Sequence, residues 1–325
     1  YYERGLIVST SIDYEVLIEN KNGKNKVKDT TKLIIDCVYQ SDRKNKNTAG
    51  DILSKLMNVK NQGGIRYIGK LSPFDLKYVV LYTTGKDTYW LDNLDIETGI
   101  FTYFGDNKKS GTDLHGTNIH GNEILRDSFN FAAMNTRENR LKCPPFFIFK
   151  KGGKHRDVKF LGLAVPGNAS INPMEWLIAL WASREDKTRF QNYKATFTIL
   201  DTGSGSENSP FDARIDIRWL KDLRDGKGYQ SKYAPYVWKN WIDNGIYKPL
   251  ICRQERVFRT REQQIPDNFE DIKFLKLIYD KFKNNPYSFE KFAIDIALLL
   301  DDNILSIENT RPVRDGGKDG NGLYR

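Results

Sequence analysis

Between residues 58 and 111 the chain alternates β-rich runs with short polar groups, in a pattern suited to holding a flat, hydrogen-bonding ring. The runs read NVKNQGGIRYIGK, YVVLYTTGKDTYW and FTYFGDNKKSG. Asn61, Gln62, Gly63, Gly64 and Arg66 offer amide, backbone and guanidinium donors at the mouth of a strand, while Trp90, Tyr103, Phe104 and Asp106 gather around two loops. Aromatic faces stack on a base and polar groups pair with its edge, which are the two needs of a protein that handles an unstacked base. The same residues have a plainer reading. Tyr67, Val79, Leu81, Tyr89, Phe101 and Tyr103 also fit the inward positions of twisted strands, with the glycines in turns.

NVKNQGGIRY, VVLYTTGKD and DIETGIFTYFGDNKKSG, followed by FLGLAVPG and RFQNYKATFTILD, resemble the amino-terminal half of the AspBHI and MspJI group of modification-dependent restriction endonucleases. The resemblance covers roughly the first two hundred residues. It implies an SRA-like domain that binds duplex DNA, flips a methylated cytosine out of the stack and reads it in a pocket. Carried onto this sequence, it places Asp106 as acceptor for the exocyclic amino group of the cytosine, with Trp90 and an aromatic from Tyr103 and Phe104 on its faces. A carboxylate accepts from the cytosine amine but meets only acceptors on thymine in the same pose. Asn61, Gln62 and Arg66, with Asn107, Lys108 and Lys109 of GDNKKSG, are expected to touch DNA, and no cofactor is expected for that binding. The partner implied is double-stranded DNA containing 5-methylcytosine or 5-hydroxymethylcytosine.

A second candidate site lies at the other end of the chain. Residues 285–322, NPYSFEKFAIDIALLLDDNILSIENTRPVRDGGKDGNG, resemble the opening of an Mrr-type nuclease domain. In that family a helix with a Phe-Glu pair leads into a strand and a DGGxD turn whose last aspartate binds the catalytic metal. Here these are Phe289 and Glu290, then Asp315 to Asp319, so Asp319 is the expected metal ligand and catalytic residue, with Glu290 adding from the helix. Such hydrolysis needs Mg2+ or a similar hard cation held by carboxylates, with a water activated on it. The Glu-x-Lys or Gln-x-Lys strand that completes the family's site does not appear before Arg325, so this chain alone is expected to be inactive. Glu19 to Lys21 and Glu185 to Lys187 have the right spacing but read as solvated charges, and Asp-Gly-Gly alone is an ordinary tight turn. The resemblance also implies oligomers for cleavage.

Bulk properties agree with an anionic partner: the formal charge is +9 and the isoelectric point about 9.2. Cys37, Cys143 and Cys252 are odd in number and in no CxxC or Cys-His spacing, which points to a reducing cytoplasm and away from structural zinc. His115 and His120 bracket a loop turn and His155 lies in the basic hairpin KKGGKHRD, where phosphate contact or plain exposure is expected. The sequence holds no triad pattern, no P-loop and no bilayer-length apolar run, and YYERGLIVST has no charged-then-apolar leader, so neither a membrane nor a secretory signal is expected.

The elements that must position these residues follow from local pattern. EVLIEN and KLIIDCVYQ read as strands, SDRKNKNTAG as a loop, DILSKLMNV as a short helix, and NEILRDSFNFAAMNTRENRL as one helix or two. PFFIFKK and VKFLGLAVPG form a strand pair around a glycine hairpin, and NYKATFTILD returns to the sheet. In NPMEWLIALWASRED, Asn172 and Pro173 suit a helix start, with Met174, Leu177, Ile178 and Trp181 on one face; Trp176 and Trp181 are expected in the core. Residues 201–212 read as a linker, Trp219, Trp238 and Trp241 as interface fillers, and DNFEDIKFLKLIYDKF as an amphipathic helix.

The expected fold class is α+β: an SRA-like, curved, mostly antiparallel β-sheet or barrel flanked by helices (1–204), a largely helical connector (205–284), and the truncated start of an Mrr-like, PD-(D/E)XK-type α/β nuclease domain (285–325). The expected function is a modification-dependent restriction endonuclease, cytoplasmic, of which this chain carries mainly the recognition part. Two rivals are a non-catalytic reader of modified DNA and a sequence-specific restriction enzyme that reads unmodified bases in the major groove.

Overall fold

Two runs of consecutive buried side chains, 78–81 and 146–149, set the centre of the fold, because a strand covered on both faces needs no polar alternation. The computed structural model describes residues 11–21, 24–45, 47–87, 90–107, 111–183, 189–203, 214–252, 265–266, 268–300, 304–309 and 320–324. In chain order the strands are β1 (Ser11–Ile12), β2 (Ile18–Lys21), β3 (Lys24–Val27), β4 (Lys32–Leu33), β5 (Val38–Tyr39), β6 (Ile65–Lys70), β7 (Asp75–Thr83), β8 (Asn93–Asp95), β9 (Ile100–Phe104), β10 (Phe146–Lys151), β11 (Val158–Pro166), β12 (Leu177–Ser183), β13 (Arg189–Ile199), β14 (Ile215–Asp216), β15 (Ile304–Asn309) and β16 (Gly320–Tyr324). The α-helices are α1 (Tyr14–Leu17), α2 (Ile52–Met57), α3 (Gly121–Ala133), α4 (Arg137–Lys142), α5 (Arg218–Arg224), α6 (Tyr236–Asn244), α7 (Phe269–Phe282) and α8 (Pro286–Leu300). Contacts divide the chain into two units, Tyr1–Gln254 and Glu255–Arg325.

The first unit holds a ten-stranded sheet with the path β6-β7-β10-β11-β13-β9-β8, to which β12 adds on β13 and β5, carrying β1, adds on β11. β7 runs parallel to β10 and β1 to β5, and the other pairs are antiparallel. The α+β class therefore stands, but the expected barrel does not: the path is open, and β6 does not pair with β8 among the described residues. The edges explain why. β8 has three residues with Asn93 and Asp95 exposed, and β6 passes a bulge at Ile68/Gly69 into exposed Gly69 and Lys70. Short, polar, bulged edges resist further pairing.

A second correction concerns NPMEWLIALWASRED. It forms a 3-10 turn, Pro173–Glu175, and then β12, not a helix. Seven rungs, Leu177↔Ala195 through Ser183↔Arg189, bind it to β13, and this pairing overrides the helical spacing of its apolar residues. Trp176 is in the core, with Nε1 donating to the carbonyls of Asn168 and Ile171 at 3.1 and 3.0 Å. Trp181 is 64% exposed, contrary to the expectation of burial.

Other local patterns hold. In α2 the Asp51 side chain accepts from Ser54 N at 2.9 Å, and Asn58 closes the helix in the left-handed region at φ 52°. NEILRDSFNFAAMNTRENRL becomes α3 and α4, and PFFIFKK with VKFLGLAVPG becomes the β10–β11 pair. EVLIEN, expected as a strand throughout, is helix over residues 15–17 and strand from Ile18, and KLIIDCVYQ divides into β4 and β5 because Asp36 turns the chain at φ 62°. Residues 214–252 pack within the first unit, where Trp219 lies 5.7 Å from Phe147 and 5.0 Å from Trp238, ring centre to ring centre. The expected linker lies mostly outside the described residues. In the second unit α7 starts at Asn268, whose side chain accepts from Asp271 N at 2.8 Å, and Phe282 contacts Phe289 and Phe292 of α8.

Asp216 fastens β14 to α5 and to β4. Burial raises its carboxyl, but hydrogen bonds from Arg218 and Lys32 outweigh that and hold it down at about 2. A depressed carboxylate contributes stability above its unfolded pKa, about 3.9, and loses it as pH falls through the folded value. The variant Asp216→Asn is expected to lower the urea midpoint near neutral pH and to flatten the loss of stability between about pH 4 and pH 2. Fluorescence of the six tryptophans, all in Tyr1–Gln254, reads this out for the first unit alone.

Candidate functional site

β9 delivers Asp106 to the start of α3. The strand ends at Phe104, and Gly105 carries the chain to Asp106 beside the first turn of that helix. A helix begins with backbone N–H groups that have no intrahelical acceptor. The residue at the N-cap position of α3, His120, makes no side-chain cap bond. Asp106 caps the helix from outside: Oδ2 accepts from Gly121 N at 3.0 Å and from Thr117 Oγ1 at 2.7 Å, and Oδ1 accepts from Asn122 N at 3.0 Å. The helix dipole favours a negative charge at this point.

A buried amide network holds the junction. Asn122 and Asn192 are both fully buried. Asn122 donates to Leu114 O at 2.7 Å and to Asn192 Oδ1 at 3.2 Å, and its Oδ1 accepts from Asp106 N at 3.3 Å. Asn192, in β13, donates to Gly105 O at 3.0 Å. Two glycines let these groups approach. A Cβ on Gly105 would lie 1.8 Å from Asn122 Oδ1, and one on Gly121 would lie 2.6 Å from both Asp106 Cγ and Ile65 Cδ1. An ionised carboxylate has about four acceptor sites. Among the described residues three donors reach Asp106, two on Oδ2 and one on Oδ1, so Oδ1 keeps one acceptor position.

Asp106 also lines a cavity of about 480 Å³, within the usual range for small-ligand pockets. Trp90, Tyr103, Tyr82, Ile119, Arg156 and the 61–66 stretch form much of the rest of its wall. Trp90 is buried, its Nε1 has no hydrogen-bond partner among the described residues, and its ring lies 5.1 Å from Phe104 and 6.0 Å from Phe190. Phe104 is not part of the cavity wall; it backs Trp90. Tyr103 is buried against Gly64, where a Cβ would sit 2.9 Å from its hydroxyl. Burial first, then the Asp92 and Asp106 carboxylates, push that phenol well above its ordinary pKa, so it stays protonated.

The remaining expected residues fall in different places. Asn61 and Gln62 are exposed and lie between this cavity and an adjoining open one of about 680 Å³. Arg66, expected at the DNA, is 4% exposed: it donates to Asp51 Oδ2 at 2.8 Å, Lys60 O at 2.9 Å and Gly63 O at 3.0 Å, and so fixes the loop that carries the two amides. Asn107 is likewise buried and ties its loop to β13 through Gln191 O at 2.8 Å and to Thr112 O at 3.0 Å. Lys108, Lys109 and Asp319 lie outside the described residues, and Glu290 is half-buried in α8. Among the described residues no group of three or more His, Cys, Asp or Glu side chains is able to hold a metal ion. Sequence reasoning missed Thr117, Asn122, Asn192, Gly105, Gly121 and Arg156 as parts of the site. The clearest available signal was Asn192, an amide inside a run of strand-forming residues that disfavours it.

A chain with this open mixed sheet and a cavity beside a capped helix falls in the class of restriction-endonuclease recognition domains, as its relatives show. The family described as "Restriction endonuclease AspBHI N-terminal" matches residues 33–253, and the chain belongs to that family. Among solved structures it is similar to "DNA modification-dependent restriction endonuclease AspBHI", with 35% identity and a TM-score of 0.63 over 96% of this chain and 73% of the other. It is also similar to "DNA recognition domain of the cytosine modification-dependent restriction endonuclease LpnPI", with 32% identity and a TM-score of 0.62 over 74% of this chain and 96% of the other. No curated protein matches.

Removing the Asn122 amide leaves Leu114 O without its donor and takes one from Asn192 Oδ1. Asn122→Ala is therefore expected to cost about 1–3 kcal/mol in urea unfolding followed by tryptophan fluorescence. An unchanged midpoint would show that the network does not hold the junction.

Proposed function

We propose that this chain is the DNA-recognition part of a modification-dependent restriction endonuclease, and that its cavity receives a modified cytosine flipped out of duplex DNA. The observation that carries this reading is the Asp106 carboxylate, locked by three donors and keeping one acceptor position on the wall of an aromatic cavity. The cytosine exocyclic amine donates to that position; thymine offers a carbonyl there and leaves the carboxylate unpaired. Trp90 and Tyr103 supply stacking and apolar cover, and Phe104 supports Trp90 from behind. Stacking of about 1–3 kcal/mol per base offsets the few kcal/mol that flipping costs. Asn61 and Gln62 act at the cavity mouth. Lys108 and Lys109 contact phosphates, Arg66 acts indirectly by holding the loop, and Asn107 does the same for the loop after β9.

In the complete enzyme, the region from 285 onward begins the Mrr-like nuclease, in which Glu290 and Asp319 would help to hold Mg2+ for phosphodiester hydrolysis. Residues 1–204 form the SRA-like reader, 205–284 connect it, and cleavage proceeds in an oligomer. The protein acts in the cytoplasm; no helix among the described residues is long and apolar enough to cross a membrane.

The test is a gel-shift titration at fixed salt on one duplex with unmodified, 5-methylated or 5-hydroxymethylated cytosine. The chain is expected to prefer a modified duplex at least tenfold, about 1.4 kcal/mol. Asp106→Asn keeps an oxygen for the helix N-terminus but presents an amide donor to the base, so it is expected to reduce the preference below about twofold while weak, salt-sensitive binding remains. Equal binding of the unsubstituted chain to all three duplexes would favour a reader of unmodified sequence.

A further inference from the structure

The cavity wall carries cations as well as carboxylates, and Asp106 and Arg156 come to it from different elements. Asp106 reaches it from the loop between β9 and α3, and Arg156 from the turn between β10 and β11. That turn is rigidly built. Gly152 N donates to Asp157 O at 2.8 Å and Asp157 N to Lys154 O at 3.1 Å. The buried Asp157 carboxylate then accepts from Ser41 N, from Ser41 Oγ and from both Arg43 guanidinium nitrogens, all within 2.9 Å, and Arg156 N donates to Ser41 Oγ at 3.3 Å. The backbone of Arg156 is thus clamped at the cavity while its side chain stays 36% exposed.

Arg156 has no carboxylate at hydrogen-bond distance among the described residues. The nearest carboxylate, Asp51, is engaged by Arg66 at 2.8 Å and by Ser54 N at 2.9 Å through Oδ2, and its Oδ1 lies 3.9 Å from Arg156, too far for a hydrogen bond. Two guanidinium groups therefore share one carboxylate. Both guanidinium groups line the cavity, but Arg66 is buried and paired with Asp51 at 2.8 Å. Arg156 is part-exposed and has no such partner among the described residues, so it is the cation better placed to meet a ligand. The other acids on the wall, Asp87 and Asp92, accept from the backbone N–H groups of Trp90 and Phe104 at 3.1 and 2.8 Å.

A base alone needs no such cation, but a nucleotide does, because it brings a phosphate with it. We infer that Arg156 binds the phosphate of the nucleotide whose base enters the cavity. This rests on the base-flipping reading above and extends it: Asp106 recognises the base, Arg156 holds the backbone of the same nucleotide, and the contact forms only when that nucleotide has left the duplex. A guanidinium suits this role because it presents paired donors to phosphate oxygens.

The experiment compares the chain with Arg156→Gln and Arg156→Lys in salt-series gel shifts on a duplex with one 5-methylcytosine and on its unmodified twin. Arg156→Gln is expected to bind the modified duplex about tenfold more weakly, the unmodified duplex within about twofold of the original, and to lower the salt slope on the modified duplex by about 0.9. Arg156→Lys keeps the charge and is expected to keep the slope. An equal loss on both duplexes, or an unchanged slope in Arg156→Gln, would overturn the assignment. If the unsubstituted chain itself shows no preference, the base-flipping reading fails; if it does and Arg156→Gln binds as well, only the Arg156 assignment fails.

Discussion

The site depends on one carboxylate that caps a helix and lines a cavity at the same time. Asp106 closes the amino terminus of α3 and so ties the end of β9 to the helix that packs behind it. A side-chain cap of this kind contributes roughly 0.5–2 kcal/mol to stability. The same bonds prevent the carboxylate from rotating, since turning it would break contacts with Thr117, Gly121 and Asn122 together. Orientation is therefore set before any ligand arrives, and an acceptor fixed in advance discriminates better than one that must be ordered on binding. Gly105 and Gly121 follow from this constraint, because a side chain at either position would occupy the space of the network itself.

The helix is held along its length as well as at its tip. Phe129 of α3 lies 5.0 Å from Phe197 of β13, and Phe197 lies 4.9 Å from Phe146 of β10, so the middle of the helix rests on the centre of the sheet. One polar group on the cavity wall is left unsatisfied by the fold, as are a few others in the core. The Trp90 indole N–H is buried without a partner among the described residues, an arrangement that costs about 1–3 kcal/mol. β6 and β8 end the sheet's path without pairing among the described residues, and the 61–66 stretch, Trp90 and Asp106 border the cavity.

Much of this was legible in the sequence, but unevenly. Asp106, Trp90 and Tyr103 were picked out by residue type and by resemblance, and the structure brings all three to one cavity. Helices α2, α3 and α7 and the pair β10–β11 were readable because each has strong local pattern. What failed depended on distant partners. β12 carries helical spacing, yet a neighbouring strand dictates its form. Arg66 looked like a free cation, but Asp51, fifteen positions away, neutralises it in the interior. Asn122 and Asn192 matter only because β13 passes beside the start of α3, seventy positions apart in sequence. The barrel expectation came from the order of strands and helices along the chain, which does not reveal whether the outer strands meet, and edge chemistry at β6 and β8 decides against it.

The central claim is that a modified cytosine leaves the helix and enters the Asp106 cavity. The most direct measurement places 2-aminopurine next to 5-methylcytosine in a duplex and follows its fluorescence on saturation with the chain, because extrusion of the neighbour unstacks the probe. The account predicts a clear rise on the modified duplex and none on the unmodified one. Selective binding to the modified duplex with no rise would mean that the base is read within the stack, and would contradict it.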